Sequence, residues 1–246
     1  MGYLNRNNLN NWIMRHLLML ALLVTGLIGQ AQMNYFTAYN FTVEPQNVGA
    51  VYNLVDTFYK AHKPDGVTVW LYENHFNDAG NNHTHSIVFA GSLDALGNMY
   101  NGMSTDFQLF LTRINAQIKD GYSAVSGTVN DTYAGGDGPF NYRQLYQLKV
   151  ADSDAFTKSF AEFNSKNTPP GKLVTMGQIN MGRSPDGETH FVLVGFQSFK
   201  AALAGARALV PANQQANYDK AWDAHMAASG DIRVVRSSLM VVMGEW

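Results

Sequence analysis

The chain has 246 residues, 15% of them charged, no cysteine and a formal net charge of −2. The missing cysteine excludes disulfides, thiolate metal sites and thiol nucleophiles. The acidic balance offers no basic patch for nucleic acid or an anionic membrane.

In chain order, Arg15 and His16 precede an apolar run from Leu17 to Ile28. It falls short of the roughly 20 residues that a membrane-spanning helix needs. It fits the apolar core of a signal peptide, with Gly29-Gln30-Ala31 supplying the small residues before a cut ahead of Gln32. Residues 1–31 therefore read as a signal peptide, with Met1 or Met14 as the start. The expected location is secreted or periplasmic, with no stable membrane association after cleavage. Cleavage removes two bases and no acid, taking the charge to −4. About 215 residues remain, enough for a core that needs no disulfide.

The mature chain reads as two comparable halves. Each opens with an alternating strand, Tyr39–Val43 in the first and Tyr142–Val150 in the second. A helix follows in each. Val48, Val51, Tyr52, Val55, Phe58 and Tyr59 form one apolar stripe; Phe156, Phe160 and Phe163 form the other. Asp152 or Ser153 can cap the second helix, because a short polar side chain there accepts a free first-turn amide. Pro64-Asp65-Gly66 and Pro169-Pro170-Gly171 end the two helices alike.

A hairpin comes next in each half: Val67–His75 with His83–Ala90, and Lys172–Asn180 with Thr189–Phe196. Thr84-His85-Ser86-Ile87-Val88 matches Thr189-His190-Phe191-Val192-Leu193. A second helix is expected from Phe107, Phe110, Leu111, Ile114 and Ile118, and in the other half from Tyr218, Trp222 and Met226. Strands near Tyr122–Val129 and Ile232–Val242 close the halves. The glycine-rich segment Asn130–Pro139 reads as the connector. The division is 32–130 for repeat 1, 131–141 for the linker and 142–246 for repeat 2.

The fold class is thus α+β: two tandem β-α-β-β-α-β repeats of ferredoxin-like order. Helices cover one face of each four-stranded sheet, and the other face needs burial. Sheet-to-sheet packing of the repeats, as an intramolecular barrel-like pseudo-dimer, supplies it. This arrangement resembles the dimeric α+β barrel superfamily, which includes small monooxygenases, isomerases and haem-binding members. The stretch Leu71-Tyr72-Glu73…Thr84-His85-Ser86 is also similar to one in small exported proteins of marine bacteria. The superfamily shares a shape and not a site, so no catalytic residue carries over.

Two groups of side chains could form a site. Glu73 and His75 are two apart on one strand, His83 and His85 two apart on the next. With His75 opposite His83, all four share a sheet face and could hold a divalent metal. Between repeats only His85 has a counterpart, His190, and that pair suits a structural or cavity-lining role at the pseudo-twofold, according to whether its face packs on the helices or lines the space between the repeats. Trp70 and Tyr72 share the opposite face of their strand and could line a ligand or the core. Three readings stay open: a small apolar or aromatic ligand bound between the repeats near His85 and His190, a non-enzymatic interaction or assembly module, and a divalent-metal-binding protein.

Overall fold

The computed structural model describes residues 34–80, 82–102 and 104–246. The signal-peptide reading falls on residues 1–31, outside the described residues. Among the described residues no helix is long and apolar enough to cross a membrane.

Repeat 1 consists of β1 (Asn34–Val43), α1 (Val48–Ala61), β2 (Val67–Asn77), β3 (His85–Gly91), α2 (Leu93–Asn101), α3 (Thr105–Asn115) and β4 (Ile118–Ala134). Repeat 2 consists of β5 (Tyr142–Val150), α4 (Ser153–Asn167), β6 (Lys172–Met181), β7 (His190–Phe196), α5 (Phe199–Ala204), α6 (Gln215–Ala228) and β8 (Ile232–Glu245). The strands close into one antiparallel barrel of order β1-β3-β2-β8-β5-β7-β6-β4. The two ferredoxin-like sheets do more than stack. The free edges of repeat 1, β2 and β4, pair with the free edges of repeat 2, β8 and β6. Among the described residues, closure leaves no strand of the barrel with an unpaired edge to recruit another chain.

The two seams are built alike. Pairing of β2 with β8 slips between Leu71 and Tyr72 and again between Asn74 and Phe76. Pairing of β4 with β6 slips at the matching places, opposite Met176/Gly177 and Ile179/Met181. Shared bulges at shared positions mark a duplicated unit.

Both faces of each sheet are apolar. Outside, Val51, Val55 and Tyr59 of α1 and Phe110 and Ile114 of α3 cover Val67, Val69, Leu71, Ile87 and Phe89. Burying each such aliphatic side chain contributes about 1.5–3 kcal/mol. Phe156 and Phe160 of α4 do the same for Leu148, Val150, Val174 and Met176. Inside, Phe36, Ala38, Ile179 and Phe191 form the centre of the barrel, with Val88, Val125, Leu145 and Leu193 around them. Phe36 of repeat 1 meets Phe191 of repeat 2 edge to face, ring centres 5.0 Å apart. Gly127 and Gly177 make room for these rings. A Cβ on Gly127 would lie 1.8 Å from the Gln178 carbonyl oxygen and 2.9 Å from the Phe36 ring. One on Gly177 would lie 2.0 Å from the Thr128 carbonyl oxygen and 2.5 Å from the Phe191 ring.

Several elements differ from expectation. The single second helix of repeat 1 is two helices, α2 and α3, each capped by a serine: Ser92 accepts from the Ala95 amide and Ser104 from that of Phe107. Ile118 belongs to β4, not to a helix. β4 runs through Asn130–Ala134, because those residues pair with β6 up to Leu173. On α6 the buried residues are Tyr218 and His225, while Trp222 and Met226 are exposed. His225 takes the inward place because Ser159 and Ser229 satisfy its Nδ1 at 3.1 and 3.2 Å. The N-cap of α4 is Asp152, which accepts from the Ala155 amide. Finally, Trp246 of repeat 2 packs into the outer core of repeat 1 and donates its indole N–H to Asp56.

Candidate functional site

His85 and His190 occupy equivalent positions. His85 pairs with Phe41 and Glu73, and His190 with Leu148 and Gln178. In each repeat the preceding threonine hydroxyl accepts an amide at the end of the first strand: Thr84 from Val43 at 2.9 Å and Thr189 from Val150 at 3.1 Å. The same hydroxyls bond the imidazole Nδ1 atoms at 2.8 and 2.9 Å. Both rings, however, lie on the helix side. His85 alternates with Ile87 and Phe89 of the outer core and stacks on Phe41. His190 bonds Ser153 at the start of α4 and meets the edge of Phe156. Burial lowers both pKa values. The pair therefore packs on the helices, the structural of its two expected roles, and the placement of a ligand beside His85 and His190 is corrected. A strand's alternation sorts residues into two faces; which face met the helices was settled by the packing of α1 and α4.

The four proposed metal ligands do not converge. Glu73 lies opposite His85 as expected, but that is the last pair between β2 and β3. Beyond it β2 bulges and pairs with β8, so His75 never comes opposite His83. His75 sits 3.8 Å from the Glu73 carboxylate and turns its ring to Phe76 and Phe199. His83 packs on Tyr122. Among the described residues no group of three metal-binding side chains is present.

Trp70 and Tyr72 face the barrel interior, since their neighbours Val69 and Leu71 belong to the outer core. There they meet Arg143, which carries no motif in the sequence. Arg143 of β5 places its guanidinium carbon 5.4 Å from the Trp70 ring centre and 5.3 Å from that of Tyr72. Its Nη1 donates to the Tyr72 hydroxyl, and its Nε donates to the Phe140 carbonyl at 3.0 Å. The residue is 9% exposed. Its nearest carboxylate, Glu245, is 3.9 Å from Nη2 and 55% exposed at the rim of the barrel. Burial pushes the Tyr72 phenol up to about 12, against the pull of Arg143. The phenol is thus neutral: it accepts from Arg143 and keeps its own proton to donate. The indole N–H of Trp70 is buried without an acceptor among the described residues.

The internal repeat shows how unusual this spot is. Asn74, Met240, Arg143 and Gly195 are successive partners across β2, β8, β5 and β7. The equivalent row across β6, β4, β1 and β3 is Ile179, Gly127, Phe36 and Ala90. On the β4–β6 seam Phe36 fills the interior over a glycine. On the β2–β8 seam the same place holds a cation flanked by a methionine and an asparagine. Along β2 the inward residues are Trp70, Tyr72 and Asn74, where β6 has Thr175, Gly177 and Ile179. Aligning Arg143 with Phe36 marks Arg143 as unusual from sequence, since a charge stands where its repeat mate is aromatic, but does not bring Trp70 and Tyr72 to it.

No family model and no curated protein sequence matches the chain. Solved structures match in shape. A monooxygenase candidate from Lactobacillus acidophilus NCFM superposes with a TM-score of 0.58 at 11% identity, covering 87% of this chain and 95% of its own. One from Fusobacterium nucleatum subsp. nucleatum gives 0.56 at 13% identity, over 88% and 95%. An anthrone oxidase-like protein gives 0.54 at 13% identity, over 88% and 94%. At such identities the likeness is one of fold. The chain has the dimeric α+β barrel fold, with both ferredoxin-like repeats in one polypeptide.

Proposed function

We propose that the protein binds a small aromatic ligand bearing an anionic oxygen group, on the inner wall of the barrel between its repeats, at Arg143, Trp70 and Tyr72. The observation that carries this is the burial of Arg143 among aromatic rings, with a half-exposed carboxylate, Glu245, no nearer than 3.9 Å. A charge taken out of water is costly unless paired and hydrogen-bonded, and at the equivalent position a phenylalanine serves the fold. An anionic ligand would be a closer partner for Nη2 than Glu245, and the guanidinium fork suits a carboxylate or enolate. Trp70 and Tyr72 offer aromatic faces and further donors, and Trp70 pairs with Glu245 near the end of β8. The shared fold with a protein described as anthrone oxidase-like is compatible with an aromatic ligand.

Calorimetric titration with 2-naphthoate and 2-naphthol tests the reading. Binding of the naphthoate, weaker binding of the naphthol, and loss of that difference in Arg143→Met are expected. The second reading, an interaction or assembly module, is favoured by the Phe36–Phe191 contact that fills the centre of the barrel. Absence of heat with either compound would leave that module as the better account. Export is the part of the proposal that rests on the Leu17–Ile28 run, and N-terminal sequencing of secreted protein should begin at or near Gln32.

A further inference from the structure

The outer core of repeat 2 holds a polar cluster that repeat 1 lacks. Val67 and Lys172 open β2 and β6 in the same register, opposite Gly91 and Phe196. Phe110 of α3 stacks on Phe58, and His225 of α6 stacks on Phe163. Phe58 and Phe163 precede those strand starts by the same spacing, so His225 is the repeat mate of Phe110. One turn further on, Ser229 answers Ile114; on the facing helix Asn164 answers Tyr59 and Ser159 answers Leu54. Lys172, His225, Ser229, Asn164 and Ser159 are all buried.

α6 therefore lies on α4 with its polar side inward, while Trp222 and Met226 face out. Ser159 and Ser229 lie 2.7 Å apart, both within reach of His225 Nδ1, and Ser229 donates to the His225 carbonyl. The cluster is incompletely bonded: Asn164 Oδ1 is buried with no donor among the described residues. Lys172 is 4% exposed, and among the described residues no ion pair reaches it or His225. Charges on the packed elements do not compensate. Lys158, Glu162 and Lys166 of α4 and Lys220 and Asp223 of α6 are exposed, and Asp219 is held by Arg207. Tyr218 of α6 and Tyr133 of β4, the latter beside Asp131, are neutral phenols whose pKa values burial raises. His190 of β7 meets Phe156 from the sheet side.

We infer that α6 is an acid-released cover: when His225 takes up a proton above the charged Lys172, the helix lifts from α4 and bares Phe160 and Phe163. With α6 lifted, the imidazole titrates near the ordinary value of about 6.5. With α6 docked, burial first and the Lys172 charge besides hold it lower. Docking is therefore unopposed by His225 above about pH 6.5 and weakens as the pH falls below it. Lys172, held down to about 8 by burial, is already charged at neutral pH, so the second cation meets the first. Residues 205–214 join α5 to α6 through two short 3-10 turns, so α6 can open locally while the barrel stays closed.

Hydrogen exchange read by mass spectrometry on the full chain at pH 7.5, 6.5 and 5.5 tests this, with α3 as internal reference for the chemical exchange rate. In the wild type, protection of α6 should fall several-fold relative to α3 between pH 6.5 and 5.5. His225→Phe, matching Phe110, should hold the ratio constant. Lys172→Val should lessen the fall, because no second charge then lies beneath the imidazolium. Parallel loss of protection in α3 and α6 would be general acid unfolding and would overturn the inference. An undiminished fall in His225→Phe would do the same. Should that variant fail to fold, Lys172→Val decides: a fall as large as in the wild type overturns the cover.

Discussion

Phe36 and Arg143 stand at the same place in the two repeats, one over Gly127 and the other over Met240. The exchange of an aromatic ring over glycine for a guanidinium over methionine breaks the pseudo-twofold symmetry of the barrel interior. It should be visible energetically. Arg143→Phe alone crowds Met240 and should destabilise by about 1–3 kcal/mol. Adding Met240→Gly rebuilds the Phe36–Gly127 arrangement, so the pair should couple favourably by about 1 kcal/mol or more in a double-mutant cycle read by urea unfolding. Strict additivity would mean that the two rows are not packed alike.

The glycines of the β4–β6 seam should be irreplaceable. In Gly127→Ala and Gly177→Ala the new Cβ meets backbone carbonyl oxygens across the seam, at 1.8 and 2.0 Å, so the strands must part. Losses of about 3 kcal/mol or more are expected from overpacking at fixed backbone. Gly97, within α2, provides the control. A Cβ there meets nothing within 4 Å. Gly97→Ala should stabilise by about 0.5–1 kcal/mol through helix propensity. Equal effects at all three positions in denaturant melts would contradict the packing described for the seam.

Thr84 and Thr189 do the same work in the two repeats, each holding an amide at the end of the first strand and an imidazole Nδ1. Thr84→Val and Thr189→Val should each cost about 1–2 kcal/mol by leaving these groups unpaired. The double variant should show the sum within about 0.5 kcal/mol, because the sites are separate. Markedly unequal losses would show that only one of the two junctions supports the fold.

Acid should weaken the fold through His83. Its imidazole is held down to about 4, first by burial and then by the neighbouring Arg236 and His85. The unfolded chain takes up that proton near the ordinary histidine value of about 6.5, while the folded chain resists it. The stability from this group is therefore complete above about pH 6.5, falls as the pH drops toward 4, and changes no further below that. A shift of this size corresponds to at most about 3 kcal/mol. His85 and His190, also lowered by burial, act in the same direction. Urea unfolding at pH 7.5, 5.5 and 4.5 should show the decline, and His83→Gln should flatten part of it. An identical slope in the variant would remove His83 as its source.

The sequence by itself determined the element order and much of the pairing. Alternation and the 3.6-residue period are local properties, and Pro-Gly turns mark their ends. The match of Thr84-His85 to Thr189-His190, the Glu73–His85 register and a cap at Asp152 or Ser153 were legible for that reason, and the structure chose Asp152. What alternation cannot say is which face of a strand meets the helices. It discriminates when one face is polar. Here both are apolar, one against the helices and one inside the barrel. The side of His85 and of Trp70 was therefore decided only when α1 and α4 docked. The candidate site lay further out of reach. Arg143 and Tyr72 are 71 residues apart and meet only because β8 inserts between β2 and β5 when the two sheets close. Trp246 reaches Asp56 across 190 residues by the same closure. Edge pairing between repeats is a tertiary event with no local signature, and the site on the inner wall exists only once it has happened.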